Sequence, residues 1–480
     1  MIPHDEGSAV PRLVIAGTSS GAGKTTVTVA LARALRARGL RVAVFKSGPD
    51  YLDPTYLTRA AGVACHNLDG WLMGRDAVRA TFARAAVGAD IALIEGMMGL
   101  FDGASPASDE GSTAEIARWL DAPVILCVDA GAMARTLAAI VDGCVRFDRA
   151  LRVAGVVCNR IGGRGHLDLL GKALQAARVP VALLGGFPAR SELAFPERHL
   201  GLRAATEGAV HEALFASWGA QAEQWLDVDA ALALARTAPA LAGDDGAPAA
   251  ALADEPRCRI AVAMDAAFHF YYQDNLQRLR DLGAALIPFS PIADAALPAV
   301  DGLYLGGGYP EAHAAALAGN ASMRAAVAAH AAAGKPIYAE CGGFMYLCAA
   351  IRTTDGGRHP MVGLFGSEAV MADRLQAIGY VDVETQAPSI LGAAGLRFRG
   401  HQFRYSSLQA LDAPLAPAAV YRLRIPYGDQ IATEGHAAGP GDGGGIPNVL
   451  GSYVHAHWAS NPTVASGFVA ACVRAALLQR

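Results

Sequence analysis

The chain has 480 residues, 53% of them hydrophobic (much of that alanine) and only 7% aromatic, which leaves room for roughly two to four domains. Its net charge of −4 comes from interspersed charges of both signs without a basic stripe, and this argues against nucleic acid as the main partner. No apolar run approaches the ~18–20 residues of a membrane span, and residues 1–12 lack a basic start followed by an apolar core. The eight cysteines are scattered without a Cys-x-x-Cys pair, so a cytoplasmic protein with buried thiols is expected, free of zinc and disulfides.

Leu13–Ala16 reads as a buried strand that stops at the small residues Gly17-Thr18-Ser19-Ser20-Gly21-Ala22-Gly23, followed by Lys24, Thr25 and Thr26. Glycines at Gly21 and Gly23 let backbone N–H groups close around a phosphate, and the following helix points its positive end at the same anion. Lys24 would reach the terminal phosphates and Thr25 would hold Mg²⁺. The strict phosphate-loop spacing is broken, because Thr18 stands where the leading glycine belongs. The helical pattern behind it and Gly39 at the cap position supply the missing context.

Residues 42–45 form the next strand, leading into Lys46 and the acidic loop Asp50–Asp53; Asn67-Leu68-Asp69 marks a turn or helix start. The run 90–94 is a buried-type strand entering Glu95 and a Gly/Met loop that ends at Asp102. Residues 124–128 and 153–158 repeat the pattern, ending at Asp129 and Asn159. Strands alternating with helices predict an α/β fold with a parallel sheet covered on both faces. Ligands of such sheets sit at the carboxyl ends of the strands, where these polar residues fall. Asp50, Asp53, Glu95 and Asp102 beside a phosphate loop point to Mg²⁺ and a phosphorylated substrate, with Thr25, Asp50 and Glu95 the metal candidates. Lys46 would neutralise charge on a transferring phosphoryl group. The charged stretch Pro196-Glu197-Arg198-His199 reads as a surface loop.

Residues 236–257 are rich in Ala, Pro, Gly and Asp without an apolar period and read as a linker. This divides the chain into domains at 1–235 and 258–480. The strand–helix rhythm then restarts, with strands at 260–264, 285–289, 303–305 and 336–339 and one long Ala-rich helix ending at Gly334. Cys341 follows the last of these strands directly and is itself followed by Gly342 and Gly343. That is the pattern of a nucleophile elbow, where a sharp turn exposes the side chain and helix-start N–H groups favour thiolate. A nucleophilic cysteine needs a base, and either His455 or His457 could serve, since they share one face of a strand-like segment. Gly306 to Gly308 offers close backbone approach, with Gly307 and Gly308 the candidates for an oxyanion hole.

The motifs GTSSGAGKTTVT, FKSGPDYLDP, IEGMMGLFDG, VVCNR, PERHLGL, FHFYYQDNL, DGLYLGGGYPE, YAECGGFMYL, GHQFRYS and SYVHAHW together resemble the cobyrinate a,c-diamide synthase family, over nearly the whole chain. The resemblance implies a dethiobiotin-synthetase-like domain that activates carboxylates with ATP, then a class I-type glutaminase domain. The implied reaction is amidation of the a and c carboxylates of a corrin through acyl phosphates, with ammonia drawn from L-glutamine. It implies Cys341 as nucleophile, His455 as its base, Asp50, Leu52, Asp53, Glu95 and Asp102 as residues of the synthetase half, and Asn159 at the adenine contact. Related synthetases often pair, so a homodimer is among the expectations.

Three departures stand out. His457 occupies the place of the glutamate that class I glutaminases carry two residues after the catalytic histidine. Gln402 and Arg404 stand where relatives often have Glu and His. Ser19 replaces the signature lysine of the MinD/ParA ATPases, which counts against the rival reading of a partner-binding ATPase switch with a silent second domain. Hydrogenobyrinate and nickel-sirohydrochlorin are alternative substrates.

Overall fold

The structure, a computed structural model, describes residues 10–189, 197–198, 201–202, 211–241, 255–411, 419–426, 428, 430–440 and 445–478. It forms two compact units, residues 1–247 and 248–480.

The first unit begins β1 (Arg12–Gly17), α1 (Lys24–Ala37), β2 (Val42–Ser47), α2 (Asp53–Ala61), β3 (His66–Leu68), α3 (Gly70–Met73), α4 (Arg75–Ala85) and β4 (Ile91–Glu95). It continues α5 (Thr113–Trp119), β5 (Val124–Asp129), α6 (Thr136–Phe147), β6 (Val153–Asn159), α7 (Arg164–Ala176) and β7 (Ala182–Leu183). A short hairpin, β8 (Glu197–Arg198) with β9 (Gly201–Leu202), precedes α8 (Glu212–Trp225) and α9 (Val228–Ala235). The seven-stranded sheet has the order β3-β2-β4-β1-β5-β6-β7 and every pairing is parallel. Its central strands are buried along their length, as the unbroken apolar runs require. All strands of a parallel sheet end on one side, so the polar residues that close β1, β2, β4, β5 and β6 are gathered along one edge.

Two details differ from the sequence reading. Asn67 lies in a strand, β3, instead of a turn, and only Asp69 acts as the helix start, accepting the Leu72 N–H. The chain after α9 is anchored where a loose linker was expected. The Arg12 guanidinium donates to Pro239 O at 2.6 Å and Arg152 to Thr237 O at 3.2 Å, and Ala238 is buried. The remaining linker residues, 242–254, lie outside the described residues, as do Pro196 and His199 of the charged loop.

The second unit runs β10 (Cys258–Ala263), α10 (Gln273–Asp281), β11 (Ala284–Phe289), β12 (Gly302–Leu305), α11 (Ala314–Gly319), α12 (Ala321–Ala332), β13 (Ile337–Glu340), α13 (Gly342–Leu347) and β14 (Cys348–Arg352). The strands that follow are β15 (Arg358–Pro360), β16 (Phe365–Met371), β17 (Ala377–Thr385), β18 (Arg397–Arg404), β19 (Ser406–Ala410), β20 (Tyr421–Arg424), β21 (Ile431–Glu434), β22 (His436–Ala438), β23 (Val449–Ser452) and β24 (His455–His457). Helix α14 (Pro462–Leu477) closes the chain. The central sheet is ordered β11-β10-β12-β13-β23-β22, parallel except at β22, and is joined by a four-stranded sheet and a five-stranded sheet, β21-β20-β17-β18-β24. One face of the central sheet packs Tyr304, Tyr338 and Leu450 with Trp458 and Phe468; the other packs Leu303, Leu305, Ile337 and Ala339 with Phe344.

The single Ala-rich helix expected before Gly334 is interrupted at Asn320. Its amide donates to Pro291 O and Asp294 O while its Oδ1 accepts from Met323 N–H. A short polar side chain that bonds the backbone in this way ends one helix and caps the next.

Candidate active sites

The first site lies where β1, β2 and β4 end. Gly21 and Gly23 have φ of 74° and 88°, and a side chain at Gly23 would also meet Asn159 at 2.4 Å. Asn159, buried at the end of β6, donates to Ala22 O at 2.7 Å and so braces the loop. Its Oδ1 is buried without a hydrogen-bond partner among the described residues. Lys24 is folded over the loop, donating to Ser19 O (3.1 Å) and Met98 O (2.5 Å). Burial, then the nearby Lys46, lower its pKa. Thr25 and Thr26 sit half-buried in the first turn of α1.

Lys46 is 3% exposed. Its ammonium contacts Asp53 Oδ2 at 2.6 Å, Glu95 Oε1 at 2.8 Å and Asp50 Oδ2 at 3.9 Å. Burial works against that charge, and the three carboxylates outweigh it and raise the lysine pKa. Burial raises Asp53 too, but Lys46 and hydrogen bonds pull it down to about 2. Burial and then Asp53 push Asp50 up. Glu95 is wholly buried and held at about 7, because burial outweighs the opposing pull of Lys46.

Asp50 lies at the rim of the Lys46–Asp53–Glu95 cluster, and Asp102 stands apart from it. Asp50 accepts from Leu52 N–H at 2.8 Å and shapes the acidic loop. Asp102 is exposed and caps Gly99 N–H at 2.8 Å, beside the start of the phosphate loop. A residue the sequence reading left as a turn, Asn67, is 5% exposed and donates to Gly48 O and Asp50 O, which fixes the loop against β3. Asn67 is the middle residue of the three-residue strand His66–Leu68, and no local pattern signals its role.

Thr25 Oγ1 donates to Glu95 Oε1 at 2.7 Å, while Glu95 Oε2 is buried without a hydrogen-bond partner among the described residues. A hydroxyl and an unsatisfied carboxylate oxygen side by side suit a hard cation. Among the described residues, no three His, Cys, Asp or Glu side chains form a cage for a metal. Such a donor set fits Mg²⁺, which keeps waters and shares phosphate oxygens with few protein ligands.

The second site is built on β13. Cys341 takes φ 46° and ψ −103°, a strained backbone for a residue with a Cβ, between β13 and α13. Its N–H donates to Ser452 O at 2.7 Å. The glycines after it are set by space: a Cβ on Gly343 would lie 2.2 Å from Leu305 O. The elbow geometry is as expected, and the favoured thiolate is not. Burial, then Glu311, push the Cys341 thiol up to about 12, and the Gly342 N–H only partly offsets this. The six residues of α13 supply too little dipole to overcome desolvation.

His455 is 2% exposed, and its ring packs on Gly307, where a Cβ would meet Cε1 at 2.4 Å. Burial, then His401, whose ring centre lies 6.5 Å away, hold the imidazole neutral at a pKa of about 3. The Gly307 carbonyl is taken by the N–H groups of His269 and Phe270. In a trans peptide the next N–H points the opposite way, and Gly308 N lies 3.1 Å from the Cβ position of Gly342. The turn therefore borders His455 on one side and the elbow on the other. His457 faces elsewhere: its ring lies 4.7 Å from Tyr272 and its Nδ1 accepts from Ala459 N–H. Arg404 lies over the Tyr453 ring at 4.6 Å.

A phosphate-loop unit on a parallel sheet and a cysteine–histidine unit with an elbow define a nucleotide-dependent glutamine amidotransferase. Residues 13–202 match the CobQ/CobB/MinD/ParA nucleotide binding domain, and residues 259–463 match the CobB/CobQ-like glutamine amidotransferase domain. A cobyrinate a,c-diamide synthase of Leptospira interrogans is 49% identical over 465 residues, covering 97% of this chain and 99% of its own. That of Syntrophotalea carbinolica is 48% identical over 467 residues (96% and 98%), and that of Dehalococcoides mccartyi 44% over 465 (96% and 97%). The chain belongs to the cobyrinate a,c-diamide synthase family.

Proposed function

We propose that this enzyme amidates the a and c carboxylates of cobyrinate, using ATP to activate each carboxylate and glutamine as the nitrogen source. The observation that supports it best is the coexistence of both sites in one chain, together with relatives that align over both units. That full-length match also favours a two-activity enzyme over an ATPase switch with a silent second unit.

In the first unit, ATP lies on Gly21 to Thr26, with Lys24 released from Ser19 and Met98 to meet the terminal phosphates. Thr25 and Glu95 would hold Mg²⁺, with Asp50 a further ligand. When bound, the ion offsets phosphate charge. The substrate carboxylate attacks the γ-phosphorus, the bond to the β-phosphate oxygen breaks, and acyl phosphate and ADP result. Little covalent help is needed, so positioning and charge carry the step. Lys46, poised between Asp53 and Glu95, is the cation suited to the transferring group. Ammonia then attacks the acyl carbon and phosphate leaves.

In the second unit both Cys341 and His455 start neutral, so the proton moves as the bond forms. Cys341 Sγ attacks the glutamine amide carbon while His455 takes the thiol proton. Gly308 N–H faces the developing oxyanion, and Gly307 leaves room for the imidazole. The proton returns to the departing nitrogen, which leaves as ammonia, and water hydrolyses the thioester to glutamate.

The reading includes a cytoplasmic enzyme without a nucleic acid or membrane partner; among the described residues, no helix is long and apolar enough to cross a bilayer. It also includes a homodimer, which sedimentation checks.

The test compares wild type and Cys341→Ser with glutamine and with ammonia, on cobyrinate, hydrogenobyrinate and nickel-sirohydrochlorin. Cys341→Ser should lose glutamine-driven amidation by more than about a thousandfold and keep ammonia-driven turnover. Full glutamine-driven activity in Cys341→Ser would overturn the glutaminase assignment. Preference for another tetrapyrrole would overturn cobyrinate as substrate.

A further inference from the structure

The strand that carries His455, β24, is the edge strand of its sheet. It pairs with β18 through His401↔His455, Gly400↔Ala456 and Arg399↔His457. The main-chain groups of Ala456 are met by two buried side chains from other elements. Glu340 Oε1 accepts the Ala456 N–H at 3.1 Å, and Asn275 Nδ2 of α10 donates to Ala456 O at 2.7 Å. Asn275 Oδ1 also accepts Trp458 N–H at 2.9 Å. Glu340 is 1% exposed and Asn275 0%. The two side chains stand where a neighbouring strand would otherwise close the ladder, because a buried edge cannot leave its polar groups unmet.

Glu340 is also the last residue of β13, directly before Cys341. Tyr338 Oη donates to its Oε1 at 2.8 Å and Tyr304 Oη to its Oε2 at 3.1 Å, so the carboxyl group is fixed from three sides. One side chain thus joins the residue before the nucleophile to the residue after the base. A catalytic cysteine–histidine pair commonly has a third group that orients the base. The glutamate expected two residues after the histidine is replaced here by His457, whose ring packs on Tyr272 instead.

We propose that Glu340 is the positioning residue of the glutaminase site, orienting His455 toward Cys341 through the Ala456 main chain instead of through the imidazole. The role needs an acceptor oxygen at that place, which a neutral carboxyl or an amide provides as well as a carboxylate. It rests on the assignment of Cys341 and His455 as nucleophile and base.

The full-length enzyme is assayed for glutamine hydrolysis and for ammonia-driven amidation in Glu340→Gln, Glu340→Asp and Glu340→Leu, beside Cys341→Ser. A displacement of reacting groups by about 1 Å can cost roughly a hundredfold. Glu340→Leu, which removes the acceptor, and Glu340→Asp, which withdraws it, should each lower the glutaminase kcat by about ten- to a hundredfold. The KM for glutamine should stay within about threefold, because no glutamine contact is removed. Glu340→Gln should keep kcat within about threefold, and ammonia-driven amidation should be unchanged throughout. Where Glu340→Leu fails to fold, Glu340→Asp against Glu340→Gln decides. Wild-type kcat in Glu340→Asp, a fall in Glu340→Gln as deep as in Glu340→Asp, or a loss confined to KM would each overturn the proposal. Failure of the underlying reading appears separately, as retained glutamine-driven amidation in Cys341→Ser.

Discussion

Lys46 carries an ammonium into a site from which water is almost excluded, and its charge survives there because Asp53 and Glu95 approach within 2.8 Å. Removing one partner of a buried ionic group costs about 3–5 kcal/mol, since the rest is left uncompensated. Lys46→Met should therefore lower the melting temperature of the first unit and abolish ammonia-driven amidation, with glutamine hydrolysis intact. An unchanged melt would remove Lys46 from the ion cluster's balance. Glu340 offers the opposite case, a carboxyl without a cation on it. Burial raises its pKa from 4.5 to about 7, against the hydrogen bonds of Tyr338, Ala456 and Tyr304. Between those values the folded chain holds a proton that the unfolded chain has lost. The stability it contributes is thus full below pH 4.5 and falls away as pH rises to 7, by at most about 3 kcal/mol. Glu340→Gln should flatten that part of the urea-midpoint profile of the second unit; an identical slope in the variant would rule it out. The places of Cys341, Lys24 and the acidic residues at strand ends and loops were legible because each sits in a short local pattern. Glu340, Asn275 and Asn67 were not, because what they bond is backbone from distant segments, and no spacing encodes that.

Elements were legible where hydrophobic period and punctuation agreed. The strands β1, β4, β5 and β6 are continuous apolar runs because both faces are covered, and Gly39 and Gly283 stand just past the helices they follow. Asn320 misled because a good helix composition on either side concealed one residue whose bonds lie across the fold. The four- and five-stranded sheets were not legible, since most of their pairing joins partners far apart in the chain, as β18 with β24. The turn after β12 is the element where sequence and geometry combine most closely. Gly307 has no positive φ that would demand glycine, so its role is space alone: a methyl group there would sit 2.4 Å from His455 Cε1 and 3.3 Å from Phe270 Cβ. Gly307→Ala should push the imidazole aside and reduce glutamine hydrolysis by about tenfold or more, while ammonia-driven amidation persists. Glutamine hydrolysis at the wild-type rate in this variant would show that His455 is not held against the turn.

At the scale of the molecule, the chain forms two compact units, residues 1–247 and 248–480. What composition could not reveal is how the first unit closes on itself. Arg12 lies in the central strand β1, 1% exposed, and its guanidinium donates to Leu120 O and Pro239 O, each at 2.6 Å. It therefore ties the opening strand to the end of α5 and to the chain after α9, two segments more than a hundred residues away. Hydrogen bonds from a charged group contribute about 1.5–3 kcal/mol each, and the buried carbonyls they satisfy become costly once abandoned. Arg12→Met should cost several kcal/mol, a fall of roughly 5–15 °C for a unit of this size. If the units are stabilised by separate cores, that fall belongs to the first alone. Heating the intact variant while following two activities tests this. Ammonia-driven amidation should be lost at the lower temperature, whereas glutamine hydrolysis should decay as in wild type. Equal shifts of both activities would mean that the fold is stabilised as one body and that Arg12 acts on the whole of it.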